Sequence, residues 1–190
     1  DNKEKNLYLI IGLGKSGFWA AKLLHSKGEK VIVIDSNNND VINSYKKELE
    51  KLSIEVYLNI PFEFKEIRRW IHKINSVIIS PAIGLDNKTV LEFKKLGIKV
   101  MGEVNIGWQN LNHLNWIAIT GTNGKTSVTH LLSHILCKNN LLAPAAGNIG
   151  TPFCKYAHNL KDKKIDMIVA ELSSYQIEIG TEINPKIGIW

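Results

Sequence analysis

Short apolar runs alternate along the chain with stretches whose apolar positions recur at helical spacing. Leu7 to Ile11 is an apolar run that meets glycines at once. Phe18 to Lys27 puts Phe18, Ala20, Ala21 and Leu24 on one helical face, and Val31 to Ile34 is a β-branched run. Together these predict a β-α-β unit. A lysine- and glutamate-rich stretch from Ser44 to Leu52 is followed by a predicted strand at Glu55 to Leu58, a helix near Phe64 to His72 and an apolar strand at Val77 to Ile79. The spacing over Asn87 to Leu96 predicts a helix closed by Gly97 as a left-handed C-cap, before a strand at Lys99 to Met101. Such alternation predicts a parallel sheet with helices on its faces.

The glycine- and asparagine-bearing segment after Met101 reads as a boundary, giving a first domain over 1–102, a linker over 103–115 and a second domain over 116–190. Trp116 to Thr120 opens another strand–loop–helix, whose helix, starting near Ser127, is expected to bury Leu131, Leu132, Ile135 and Leu136. Ile165 to Ala170 reads as a buried strand and Ile187 to Trp190 as a strand just begun, so the second domain is expected to be cut short. The fold class is α/β: a Rossmann-like parallel-sheet domain, then a truncated P-loop-type α/β domain.

Composition narrows this picture only a little. With 44% apolar and 22% charged residues over 190 positions, the chain lies in the globular range and far from the disordered one. The net charge of +6 suits any polyanion, but the basic residues come as the pairs Lys46-Lys47, Arg68-Arg69, Lys94-Lys95 and Lys163-Lys164, read as solvated surface. Aromatic residues do not interleave with a basic stripe, so nucleic acid is not an expected partner. Cys137 and Cys154 lack metal-ligand or disulfide-framework spacing and read as small buried residues in a reducing compartment. His130 and His134 read as surface or packing residues rather than ligands. The polar start DNKEKN is unlike a signal peptide and no run spans a bilayer, so a cytoplasmic protein without membrane insertion is expected. A monomer is expected as well.

Two glycine loops carry the chemistry. Gly12-Leu13-Gly14-Lys15-Ser16-Gly17 is G-x-G-x-x-G between a predicted strand and helix, with Asp35 ending the next strand 18 residues beyond Gly17. The first glycine permits a tight turn, the second close approach of backbone to a diphosphate, and the third helix–strand packing; the helix N-terminus offers free N–H groups. The motif predicts a dinucleotide-like diphosphate and does not choose among ligands that carry one. Thr120-Gly121-Thr122-Asn123-Gly124-Lys125-Thr126 also lies between a strand and a helix. Its backbone can form an anion nest, the lysine can reach the β- and γ-phosphates, and the threonine hydroxyl can ligate Mg²⁺. Because a helix dipole contributes only about 0.3–1 kcal/mol, lysine and metal must carry most of the charge compensation, which gives Lys125 a catalytic role. The spacing is G-x-x-G-K-T rather than the longer G-x-x-x-x-G-K-T.

Five ordered segments, GLGKSG at 12–17, SPAI at 80–83, TGTNGKT at 120–126, GNIGTP at 147–152 and ELSSYQIE at 171–178, resemble the Mur ligase family over essentially the whole chain. The last segment is similar to the form found in the D-glutamate-adding members. The resemblance implies a first domain that holds the UDP of UDP-N-acetylmuramoyl-L-alanine, with Gly12, Gly14, Lys15, Ser16 and Gly17 around the diphosphate and Asp35 and Ser36 near the uracil. Ala82 of SPAI and Asn148 complete that substrate set. It implies ATP held by Gly121, Thr122, Asn123, Gly124, Lys125, Thr126 and Ser127, Mg²⁺ served by Thr126 and Glu171, and Lys125 and Glu171 as the catalytic pair. The implied reaction phosphorylates the L-alanyl carboxylate, and the amine of D-glutamate attacks the acyl phosphate. Ser173 and Ser174 serve either as substrate contacts or as helix caps.

Ala82 stands where the family usually has glycine, and a positive φ there would cost about 1 kcal/mol or more. The resemblance also implies a metal-binding histidine, a carboxylated lysine and a C-terminal domain beyond Trp190, so this chain alone is expected to be inactive. Two other readings stay open on the residues themselves: a UDP-sugar-binding module without catalysis, and an NAD-dependent oxidoreductase, for which GTNGKT and ELSSYQIE have no use.

Overall fold

The computed structural model describes residues 6–160 and 164–190, and the chain forms two compact units that meet in sequence at Glu103/Val104. The reading of the first residues as a polar N-terminus and of Lys163 as solvated surface lies outside the described residues.

The first unit is a five-stranded parallel sheet built from β1 (Leu7–Ile11), β2 (Lys30–Ile34), β3 (Glu55–Tyr57), β4 (Ser76–Ile79) and β5 (Lys99–Met101), in the order β3-β2-β1-β4-β5. Leu9, Val33 and Val77 are fully enclosed, as expected of strands covered on both faces. Helices α1 (Lys15–Ser26), α2 (Asp40–Glu50), α3 (Phe64–Ile67) and α4 (Lys88–Lys95) connect the strands, with a 3₁₀ turn over Arg68–Lys73 where one longer helix was predicted. Asn39 caps α2 and Asn87 caps α4 through side-chain oxygens that accept from Ile42 and Thr89 N–H groups, each worth about 1 kcal/mol. Gly97 ends α4 at φ +71°, the left-handed stop that the sequence predicts. Because β1 has β2 on one side and β4 on the other, the strand order reverses there, opening a crevice at the carboxyl ends of β1 and β4.

Helix α5 (Glu103–Leu111), inside the stretch read as a linker, starts at the last residue of the first unit and leads into the second. Gly107 is no helix breaker: a Cβ there would overlap the Phe153 side chain, so the glycine lets the helix pack closely. A four-stranded parallel sheet follows, of order β7-β8-β6-β9, from β6 (Asn115–Ile119), β7 (Ala145–Gly147), β8 (Met167–Glu171) and β9 (Ile187–Ile189). The helices are α6 (Lys125–Lys138), α7 (Phe153–Asn159) and α8 (Ser174–Ile179).

Packing of α6 corrects the sequence reading. Leu132 and Leu136 lie against the core of Ile117, Ile119, Ala143 and Val169, but Leu131 and Ile135 are exposed. Thr129 is fully buried instead, and the Ser133 hydroxyl donates to the Ala143 carbonyl at 2.7 Å, so two small polar residues occupy the face given to larger apolar ones. Cys137 is also exposed, contrary to expectation, in the last turn of α6; Cys154 is buried. No helix among the described residues is long and apolar enough to cross a membrane.

Candidate functional site

The first glycine loop leaves β1 at the sheet's switch point and starts α1. Its backbone is held by the Gly12 N–H, which donates to the Ile34 carbonyl at 2.9 Å, and by the Leu13 N–H, which donates to Asp35 Oδ2 at 2.6 Å. The other Asp35 oxygen accepts from the Asn37 N–H at 2.7 Å, and the residue is buried. Asp35 therefore braces the loop. Gly17 lies so close to the loop that a Cβ would overlap the Gly12 carbonyl oxygen, and one at Gly12, whose φ is +104°, would come within 2.8 Å of Ser80 Cβ. Gly14 differs: as the N-cap of α1 it has open space where its Cβ would stand. Nothing in the protein requires glycine at that point, and the empty cradle with exposed helix N–H groups fits a phosphate.

A cleft of about 110 Å³ is lined by Gly12, Gly14, Lys15, Ser16, Gly17, Ser80 and Pro81, with the buried carboxylate-bearing residue Glu103. Glu103 was not found from the sequence, because nothing local marks an acidic residue at a helix start as facing a cleft. Ser36 is exposed beside Asp35, and Ala82 lies on the exposed SPAI turn, where its N–H donates to Ser80 Oγ at 3.4 Å. Ala82 is not among the non-glycine residues with positive φ, which are Ser53, Asn59 and Asn140 among the described residues, so its Cβ causes no backbone strain.

The second loop leaves β6 and enters α6 through Gly121 at φ +134° and Gly124 at φ +77°. Gly124 is the N-cap in the left-handed region, and a Cβ there would meet nothing, so glycine serves the turn itself. Lys125 folds back over the loop, its Nζ donating to the Gly121 carbonyl at 2.6 Å and to that of Thr122 at 3.4 Å. Thr122, Asn123, Thr126 and Ser127 are exposed around it. An open cleft of about 610 Å³ is lined by Thr120, Gly121, Thr122, Lys125, Asn148, Ser173, Ser174, Ile177, Glu178 and Trp190.

Sheet register brings Glu171 to this loop: it pairs with Ile119, immediately before the loop, and with Gly147 on the other side. Its residue is 1% exposed; Oε1 accepts from the Asn148 amide at 2.9 Å, and Oε2 is enclosed without a hydrogen-bond partner. An orphaned carboxylate oxygen on the strand residue that pairs with Ile119, just before the loop that leads to the Thr126 hydroxyl, offers hard oxygen donors of the kind that fit Mg²⁺. No group of three or more His, Cys, Asp or Glu side chains that could hold a metal is found among the described residues, which would therefore supply only part of such a shell. Ser173 caps α8: its hydroxyl accepts from the Gln176 N–H at 3.2 Å, and its own N–H donates to Gln176 Oε1 at 3.0 Å. Ser174 lines the cleft. Burial pushes the Tyr175 phenol well above its ordinary range, with Glu178 adding to the shift, and its hydroxyl has no partner.

Two loops of this kind, in two successive parallel-sheet units, narrow the search, and comparison with known proteins decides it. Residues 6–102 match the family described as Mur ligase MurD-like, N-terminal domain, and residues 119–190 match the Mur ligase middle domain. The chain belongs to the Mur ligase family. A protein of Prochlorococcus marinus strain MIT 9515 named UDP-N-acetylmuramoylalanine–D-glutamate ligase is 62% identical over 98% of this chain and 39% of its own length. A protein of the same name from Parasynechococcus marenigrum strain WH8102 is 42% identical over 96% of this chain and 40% of its own. The chain thus spans about 40% of the length of such relatives. Among solved structures, the UDP-N-acetylmuramate:L-alanyl-gamma-D-glutamyl-meso-diaminopimelate ligase from Neisseria meningitides has the same fold, with a TM-score of 0.54 at 20% identity, covering 90% of this chain and 54% of that one.

Proposed function

We propose that this Mur ligase chain carries the UDP-substrate domain, residues 1–102, and the first part of the ATP-binding domain, residues 116–190, of a cytoplasmic ligase that adds D-glutamate to UDP-N-acetylmuramoyl-L-alanine. The observation that carries the reading is the second loop, in which a left-handed glycine nest, a lysine and an orphaned buried carboxylate oxygen meet at the end of one sheet. The 62% identity to a ligase of that name supports the choice of substrates.

In this reading Gly12, Gly14, Lys15, Ser16 and Gly17 receive the diphosphate, Asp35 shapes the loop from behind, and Ser36 stands near the uracil, with Ala82 at the rim and Asn148 in the substrate set. Gly121 to Gly124 receive the ATP phosphates with Thr126 and Ser127, and Lys125 leaves the loop carbonyls for the β- and γ-phosphates. A carboxylate is a poor acyl donor because its leaving group would be oxide. Phosphoryl transfer to the L-alanyl carboxylate replaces that with phosphate, which the D-glutamate amine displaces. Mg²⁺, held by Thr126 and Glu171, supplies charge neutralisation between carboxylate and triphosphate. Lys125 contributes a fixed positive charge where negative charge crowds. The partners are these small molecules, with the chain acting as a monomer.

Titration of the chain with ATP, with and without Mg²⁺, tests the reading. Lys125→Ala is expected to lower ATP affinity by about 10- to 100-fold, the worth of one charged hydrogen-bonding group, while leaving thermal stability unchanged. Unaltered affinity in that variant would contradict it.

A further inference from the structure

We propose that Asn148 is a positioning residue for Glu171: it holds one carboxylate oxygen so that the other is presented to a divalent cation. The inference rests on the reading of the second loop as a triphosphate and magnesium site, and it gives Asn148 a task distinct from substrate contact.

One residue grips the other at two points. The Asn148 N–H donates to the Glu171 carbonyl at 3.0 Å, and its side-chain amide donates to Glu171 Oε1 at 2.9 Å. Backbone and carboxylate of Glu171 are thereby fixed relative to each other. The turn is built to allow this. Gly147 sits at φ +104° with its missing Cβ directed at the Glu171 carbonyl, so any side chain there would push the turn off the strand. The Gly147 N–H donates to the Thr151 carbonyl at 2.8 Å, and Gly150 at φ +90° closes the loop. Strand pairing on both sides of Glu171 removes the remaining backbone freedom.

The two carboxylate oxygens consequently differ. Oε1 has its donor, whereas Oε2 is enclosed without one, a state that costs free energy unless a cation or donor arrives. Without the Asn148 amide the carboxylate could turn about its terminal torsion, and neither oxygen would be held ready. Groups that orient a metal ligand typically change metal affinity by about 10- to 100-fold when removed.

The test uses Mn²⁺ as probe, measured by electron paramagnetic resonance of the free ion, on the 190-residue chain held in excess over ATP so that no free nucleotide sequesters the ion. Asn148→Ala is expected to weaken Mn²⁺ binding by about 10- to 100-fold, while ATP affinity in the presence of a chelator stays within about twofold. Asn148→Leu, which keeps side-chain bulk but has no donor, should behave like the alanine variant. Loss of ATP affinity without metal in both variants would show a merely structural role and overturn the proposal. Equal Mn²⁺ affinity in variants and wild type would overturn it while leaving the nucleotide site standing. Failure of the wild type to bind ATP under either condition would remove the site itself, and the proposal with it.

Discussion

The two glycine loops look alike in sequence and are built in opposite ways. In the first, two of the three glycines answer to the protein, Gly17 fitting beneath the Gly12 carbonyl and Gly12 passing Ser80, while Asp35 ties the Leu13 N–H from behind and Gly14 alone faces open space. In the second, glycines answer to the backbone and to empty space: Gly121 and Gly124 hold positive φ, neither meets a close neighbour, and Lys125 tethers itself to the Gly121 carbonyl. In the proposed reading this difference suits a preformed cradle for a diphosphate that is held unchanged in the first loop, and in the second a lysine that leaves its own carbonyls for the phosphate oxygens of a group that is cleaved.

Substitution at matched glycines should break this comparison most visibly. Gly17→Ala is expected to destabilise the first unit by about 3 kcal/mol or more, because the overlap is with backbone that cannot yield. Gly124→Ala should cost only about 1–2 kcal/mol, the strain of a left-handed alanine. Urea denaturation of each variant checks both. Similar costs would mean that the loops are not built differently.

Asp35 sharpens the contrast next. Asp35→Ala leaves the buried Leu13 N–H and the part-buried Asn37 N–H without their acceptor, with an expected loss of about 1–3 kcal/mol in stability, most of it from Leu13, and a parallel loss of UDP affinity. Asp35→Asn keeps one acceptor oxygen and should retain part of both. UDP affinity lost with stability intact would instead make Asp35 a direct ligand contact.

The smallest expected effect lies in the second unit. Burial raises the Tyr175 pKa above its ordinary value near about 10, so the folded state holds the proton more tightly than the unfolded chain does. The stability this confers is present below about pH 10 and is lost as pH rises toward the folded value. Tyr175→Phe should flatten that alkaline decline, and because the hydroxyl has no partner it should cost little at neutral pH. Thermal melts between pH 8 and about 11 would show it.

How far the sequence could be read follows the same physics. The first sheet was legible because its central strands β1, β2 and β4 carry β-branched or apolar runs with clear stops, and Lys99–Met101 and Gly97 lie where the pattern puts them. Three elements were not legible. Ala145–Gly147 has no strand-like side chain and owes its state to pairing with β8; α7 follows it without an apolar stripe; and α5 hides behind a glycine that serves close packing. The outward turn of Leu131 and Ile135 was equally hidden, since Thr129 and Ser133 read as polar until their neighbours are known. Among candidate site residues, sequence spacing marked both loops, and the family resemblance pointed to Glu171. The contacts of Asp35 with Leu13 and of Asn148 with Glu171 join positions 22 and 23 residues apart, and only the fold brings them together.

In the proposed reading the first loop takes UDP and not a nicotinamide dinucleotide. A calorimetric titration of the chain with UDP-N-acetylmuramoyl-L-alanine, UDP and NAD separates the two. Both UDP ligands are expected to bind, their binding abolished by a side chain in the open cradle in Gly14→Val, and NAD is not; NAD binding without UDP binding would overturn the proposed function.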